Sequence, residues 1–313
     1  MNTGTLTASG VHVIATARNP AVLSEMAAMG MTTLTLDVTK EDSIKACHDE
    51  VSKLTGGKLD ILVNNAFVSS FSHAIYLTSF SFILFFIFFF PTSLTCLSSG
   101  RTHTHPATDL SIPDVRETFE TNVFGVMAMC AAFSDLLIAS RGLIINIASL
   151  AAVTPYVFGS AYCASKGAVT AYSRTLRLEL KPFGVRVMVA MTGTVRSQIA
   201  SRTHRTLPEG SIYERVRAIF ERRLTFSQSN PATMDTTQYA RKLVAKALAP
   251  EWPLLLRAWF GRPDWFWAGG WASKVWLGQC IGEWVTDFIM YRMMGMKTLE
   301  KVLREEQRTK KLE

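Results

Sequence analysis

The chain has 313 residues, 48% of them hydrophobic, and a formal net charge of +8. That apolar content excludes a disordered chain and suffices for one large α/β domain with an appendage. The positive balance suits an anionic ligand or an anionic membrane surface, and nucleic acid is not an expected partner because the basic residues are scattered with no recognition motif among them.

Taken in order, Val11 to Ala15 is a β-branched run that reads as a strand ending at Arg18. A second strand, TTLTLDVT, ends at Asp37 and Val38, a helix covers Glu41 to Leu54, and a strand from Leu59 to Val63 runs into Asn64-Asn65-Ala66. Residues 67–99 are dominated by Phe, Ser and Leu, and Ala74 to Phe90 is uncharged and long enough for a borderline transmembrane or re-entrant helix. Turn and capping residues then open a long amphipathic helix that carries Asn122. LIINIAS forms a buried strand ending at Ser149, and a helix holds Tyr162 and Lys166. The strand from Arg186 to Met191 leads into Thr192-Gly193-Thr194. A basic segment, 196–235, offers Arg196, Arg202, His204 and Arg205 to a phosphate, with a solvated basic helix as the plainer reading, and Met234 to Leu248 is helical. The five cysteines have neither paired nor metal-ligand spacing, which fits a reducing compartment and no metal site; the N-terminus carries no visible signal peptide.

Three of these residues make a proton-transfer set. Tyr162 and Lys166, four apart, share one helix face. A free phenol titrates near ~10, and a neighbouring ammonium is expected to lower that value toward the range of a general acid or base. Ser149 stands at the carboxyl end of a strand, where open α/β sheets bind ligands, and can hydrogen-bond a substrate oxygen.

The strand–Ser149–YxxxK order, the Asn64-Asn65-Ala66 sequence, Asn122 in TNVFG and the loop Thr192-Gly193-Thr194, where most members have Pro-Gly, together resemble the short-chain dehydrogenase/reductase family. The resemblance covers most of the chain. It implies a Rossmann-type doubly wound parallel sheet, and hydride transfer from a nicotinamide cofactor to a ketone. Tyr162 would donate the proton, Ser149 bind the carbonyl, Lys166 orient the nicotinamide ribose, and Asn122 hold a water linking the lysine to solvent. Asp37 and Val38 would meet the adenine, Asn64 and Ala66 would belong to the cofactor site, and Thr192, Gly193 and Thr194 would contact the nicotinamide, beside Tyr162 and Lys166. Arg18, where an acidic residue would favour NAD, suits the 2′-phosphate of NADPH.

Two departures qualify this. The fold needs a first strand and a glycine-rich turn for the pyrophosphate, and neither is seen before Val11, so a truncated start is expected, with neighbouring strand edges left unpaired and little NADPH binding by the chain as written. Residues 67–99 interrupt the family pattern, whose next glycine arrives at Gly100; their pyrimidine-rich codon bias reads as a translated retained intron in preference to a membrane insertion.

The expected organisation is a partial dinucleotide-binding half (1–66), an apolar insertion (67–99), a catalytic half with a substrate lid (100–248) and a helical extension (249–313). The extension's Trp, Phe and Met residues among Lys and Arg suit either a monotopic membrane anchor or the cover of an apolar substrate tunnel. Its tail and the Thr-Gly loop look like the branch that reduces 1-acyldihydroxyacetone phosphate with NADPH, which implies a lipid ketone substrate and a place on the cytosolic face of the endoplasmic reticulum membrane or a lipid droplet. A sterol or other lipid ketone is the nearest alternative, an inactive membrane-associated remnant is another, and a homodimer is left open.

Overall fold

The computed structural model of the protein describes residues 11–67, 92–100, 104–196, 205–253, 256 and 261–312. Its centre is a seven-stranded sheet: β1 (Val11–Ala17), β2 (Thr32–Thr35), β3 (Ile61–Phe67), β4 (Thr92–Gly100), β5 (Leu143–Ile147), β6 (Arg186–Thr192) and β7 (Trp265–Ala268). The spatial order is β2-β1-β4-β3-β5-β6-β7, and every neighbouring pair is parallel.

A parallel sheet must bury both faces, and the strands alternate accordingly. Ile14, Leu62, Ile144 and Val187 face α2 (Glu41–Thr55), α4 (Gly125–Ala132), α5 (Ser134–Ser140) and α6 (Ser160–Leu180), following α1 (Pro20–Ala28) and α3 (Ile112–Phe119) in chain order. Val13, Ile61, Val63, Ile145 and Met188 face the other way, against Met26 of α1 and Tyr239 and Leu243 of α8 (Thr236–Ala247), which follows α7 (Arg217–Ser229). The single amphipathic helix expected around Asn122 is instead α3 and α4 joined by a π-helical turn, Glu120–Phe124. One extra residue per turn there brings Thr121, Asn122 and Val123 all into the interior.

The expected unpaired strand edges do not occur. β4, drawn from the apolar insertion, lies between β1 and β3 and pairs with both, with Val13 opposite Leu94 and Leu62 opposite Thr95. The backbone groups of β1 and β3 thereby gain partners that the sequence had not supplied. Gly100, expected to continue Asn64-Asn65-Ala66, ends β4 and lies opposite Phe67 in the ladder. The stretch 68–91, including the whole borderline membrane segment Ala74 to Phe90, is outside the described residues, as are residues 1–10.

The C-terminal extension contributes β7 and three helices, α9 (Ala272–Ile281), α10 (Glu283–Met293) and α11 (Met296–Thr309). Ala272 and Val275 pack on Ala148, Leu150 and Met191 at the carboxyl ends of β5 and β6. Met296 and Leu299 meet Phe158, Ile219 and Phe220. Among the described residues no single helix is long and apolar enough to cross a membrane; the bent pair Ile112–Ala132 with Ser134–Ser140 passes by length and composition, but its Met129, Phe133 and Leu137 are core residues.

Candidate active site

At the carboxyl edge of the sheet, Ser149 follows β5 by two residues and caps a short 3₁₀ turn, its Oγ accepting from Ala151 N at 3.2 Å. Tyr162 and Lys166 come from the first turns of α6, as their spacing predicts. Lys166 is buried and its Nζ donates to the Ile147 carbonyl at 2.9 Å, while standing 5.9 Å from the Tyr162 ring centroid. Ser149, Tyr162, Lys166, Thr192, Gly193 and Thr194 line one cavity of about 280 Å³.

The electrostatics differ from expectation. Burial pushes the Tyr162 phenol up to about 12, partly opposed by its hydrogen bond with Ser149, and burial pulls the Lys166 ammonium down to about 7. Lys166 therefore does not lower the phenol's value as the helical spacing suggested. Both charged forms lose hydration at this site, and the lysine is aimed at a backbone carbonyl.

Asn122, fully buried, donates from Nδ2 to Ser165 Oγ at 3.1 Å, and Ser165 in turn donates to the Tyr162 carbonyl at 2.8 Å. It thus braces the turn of α6 that carries Tyr162 and Lys166. Asn64 does not face the cavity: its Nδ2 donates to Asn146 Oδ1 at 2.8 Å, and Asn146 donates to Ser173 Oγ at 2.8 Å, tying β3, β5 and α6 together inside the core. The strand's alternation turns the Asn64 side chain toward the helices, away from the cavity where a cofactor contact was expected. Ala66 lies in β3 by its backbone.

The loop after β6 is held tightly. Thr192 Oγ1 and the Tyr239 hydroxyl are 2.6 Å apart, Gly193 N donates to Ala268 O, and Thr194 forms an antiparallel bridge with Gly270. A Cβ on Gly193 would lie 2.1 Å from the Gly270 carbonyl oxygen, so the backbone crossing requires glycine there. Thr192, where proline is usual, uses its hydroxyl to fix the same loop.

At the other end of the edge, Arg18 is exposed just past β1. Asp37 is raised by partial burial but, more strongly, lowered by hydrogen bonds from Thr39 and by the Arg18 guanidinium, leaving it below the usual carboxylate range. Val38 is buried with its methyl against Gly125, where a Cβ would come within 2.6 Å of it.

These residues fit a nicotinamide cofactor. Thr194 Oγ1, in the cavity wall, is buried without a hydrogen-bond partner among the described residues, as is Trp271 Nε1. Tyr162, Lys166 and the Thr192–Thr194 loop would hold its nicotinamide end, and Arg18, Asp37 and Val38 its adenosine end.

The rest of the cavity is built from segments distant in the chain, with no local spacing to mark them. Val275, Val285, Ile289, Met290 and Met293 of α9 and α10 form an apolar wall opposite Ser149 and Tyr162. Helices α9 and α10 of the extension thus wall the cavity that holds Ser149 and Tyr162. Tyr156 and Arg223 complete the wall, whereas Arg196 and Arg205 do not line it and Arg202 and His204 lie outside the described residues.

Comparisons with known proteins agree with this geometry. A sequence profile described as short chain dehydrogenase matches residues 3–81 and 95–207, more than half the chain. The short-chain dehydrogenase fogD of Aspergillus ruber is 33% identical over 293 residues, 93% of this chain and 87% of that protein. The NADPH-dependent 1-acyldihydroxyacetone phosphate reductase of Schizosaccharomyces pombe is 38% identical over 209 residues, 65% of this chain and 60% of that one. A short-chain dehydrogenase structure from Streptomyces avermitilis shares the fold with a TM-score of 0.63 at 21% identity, covering 96% of this chain and 93% of that one. With the Ser149–Tyr162–Lys166 set on the carboxyl edge of a parallel sheet, the chain belongs to the short-chain dehydrogenase/reductase family of nicotinamide-dependent oxidoreductases.

Proposed function

We propose that the protein reduces the ketone of a lipid-like substrate with NADPH, converting 1-acyldihydroxyacetone phosphate to 1-acylglycerol 3-phosphate. The observation that carries this reading is the cavity itself, polar and proton-donating at the Ser149–Tyr162 end and apolar along α9 and α10. A short polar ketone would leave that apolar wall wetted, whereas an acyl chain buries it at roughly 25 cal/mol per Å². The reductase from Schizosaccharomyces pombe, 38% identical over its matched region, supports the same substrate class. β4 fills the place between β1 and β3 that was expected to stay open, so the carboxyl edge is continuous, and on that ground the reading is made for the chain as it stands, against the expectation of little NADPH binding.

In this reading Ser149 Oγ and the Tyr162 hydroxyl hydrogen-bond the carbonyl oxygen and hold the ketone in place. When bound, NADPH supplies the hydride that the carbonyl carbon receives. Tyr162 gives its proton to the oxygen as negative charge develops there, so the product leaves as an alcohol. Burial pulls the Lys166 ammonium down to about 7, which eases return of a proton from it to the phenolate. Asn122 keeps the α6 turn in register through Ser165 and, in this reading, holds the water by which that proton is replaced. Arg18 pairs with the 2′-phosphate, and Arg18→Asp should shift the cofactor preference from NADPH toward NADH.

The outer face of α9 and α10 exposes Trp276, Leu277, Ile281, Trp284 and Phe288, each at least half exposed. These side chains would sit at the headgroup level of an anionic membrane or lipid-droplet surface on its cytosolic side, with the cavity wall on the inner face of the same helices. The reading is tested by comparing dihydroxyacetone phosphate with its 1-acyl derivatives. Specificity, kcat/KM, should rise at least tenfold with the acyl chain, and equal values would contradict it. Flotation with phosphatidylserine-containing liposomes, lost in Trp276→Ser/Trp284→Ser, tests the membrane part.

A further inference from the structure

Arg223 of α7 is only 8% exposed, and its guanidinium carbon lies 3.3 Å from the centroid of the Tyr156 ring. Nε donates to the Val157 carbonyl at 3.1 Å, and the ionisable groups that act on the guanidinium are Tyr156, Cys163 and Tyr162, with no carboxylate among them. A guanidinium stays charged at any physiological pH, and a buried charge normally has an acidic partner or strong hydrogen bonds on all its donors. Here one face is stacked on tyrosine, one N–H is used, and the side chain lines the cavity that holds Ser149 and Tyr162. It is close enough to act electrostatically on Tyr162. Among the described residues no acidic side chain lines that cavity, and Lys274, stacked 4.6 Å from the Trp271 ring, adds a basic side chain to Arg223 and Lys166.

We propose that Arg223 is the anion-recognising residue of the substrate pocket, pairing with a phosphate or other tetrahedral oxyanion carried close to the ketone. The inference rests on the reading of this cavity as a site for a ketone amphiphile, and adds which residue reads its charged end. Arg223 lines the cavity, and its guanidinium carries a fork of N–H donors that two phosphate oxygens match. Stacking on Tyr156 fixes the plane of the fork, so little side-chain freedom remains to be lost on binding. The adjoining apolar side chains of Leu224, Phe226 and Met290 leave the hydrocarbon part of such a ligand on the same path. Arg196 and Arg205 of the basic segment, by contrast, are not in the wall.

Calorimetric titration of the full chain with octyl phosphate, octanol and inorganic phosphate tests this without requiring turnover. Octyl phosphate should bind at least 30-fold more tightly than either octanol or inorganic phosphate. Arg223→Gln should remove that preference, and Arg223→Lys, which keeps the charge but not the fork, should retain part of it. Equal affinities for octyl phosphate and octanol in the wild-type chain overturn the inference even if the variants fail to fold. It also falls if Arg223→Gln keeps the preference, or if that variant weakens NADPH and octyl phosphate alike, since the guanidinium would then serve the cofactor. Arg223-dependent binding of octyl phosphate without reduction of any acylated ketone leaves the site standing and removes the reaction. Reduction of 1-acyldihydroxyacetone phosphate with a KM untouched by Arg223→Gln does the reverse.

Discussion

Lys166 Nζ donates to the carbonyl of Ile147 at 2.9 Å, joining the helix that carries the phenol to the strand that delivers Ser149. This bond fixes the two halves of the proton-transfer set against each other, and it does so with an ammonium that burial disfavours.

The sign of that burial gives the first prediction. The folded-state value of Lys166 falls from 10.5 to about 7, so between those values the unfolded chain binds the extra proton and stability rises with pH. The cost of burial is complete below about 7 and gone above about 10.5. Lys166→Met should therefore abolish turnover while stabilising the fold at pH 7 by about 1–4 kcal/mol, a gain that disappears near pH 11. Denaturant melts at the two pH values measure it; equal destabilisation at both would show that the hydrogen bond to Ile147 outweighs desolvation.

Tyr162 sets the pH dependence. Its phenol, pushed up to about 12, is protonated throughout the neutral range, so kcat/KM for ketone reduction should not fall through loss of the acid below about pH 10. Oxidation of the alcohol needs the phenolate, and its kcat/KM should climb about tenfold per pH unit from 8 to 10. A plateau beginning near pH 8 in the oxidation profile would mean that the phenol is depressed rather than raised.

Much of this site could be read from the sequence because it depends on local spacing. Tyr162 and Lys166 share a face of α6 by helical period, and Ser149 ends a β-branched run, so their meeting at the carboxyl edge follows from strand and helix geometry. What failed depended on which way a side chain turns or on contacts distant in the chain. Asn64 differs from its neighbours only by strand parity, and parity turned it into the core. The place between β1 and β3 is taken by β4, whose Thr92–Gly100 sequence carries no sign of pairing with Val11–Ala17. Arg223 lay within a basic run, and its one signal was its place three residues after Phe220 and four after Ile219, both buried. The rise of the Tyr162 phenol comes from burial, which a four-residue spacing does not encode.

The Thr192–Tyr239 contact carries a third prediction. Tyr239, on α8, is buried and its hydroxyl meets Thr192 Oγ1 at 2.6 Å, holding the loop that would face the nicotinamide. Tyr239→Phe should cost about 1–2 kcal/mol of stability. It should also raise the KM for NADPH several-fold with a smaller change in kcat. An unchanged cofactor KM alongside the stability loss would make the contact structural only.

The most direct test of the account is NADPH-dependent reduction of 1-acyldihydroxyacetone phosphate by the wild-type chain and by Tyr162→Phe, with circular dichroism to verify the fold of each. The account predicts turnover in the wild type and a loss of about 10³-fold or more in the variant, as removal of the proton donor requires. Wild-type rates in a folded Tyr162→Phe chain would contradict it.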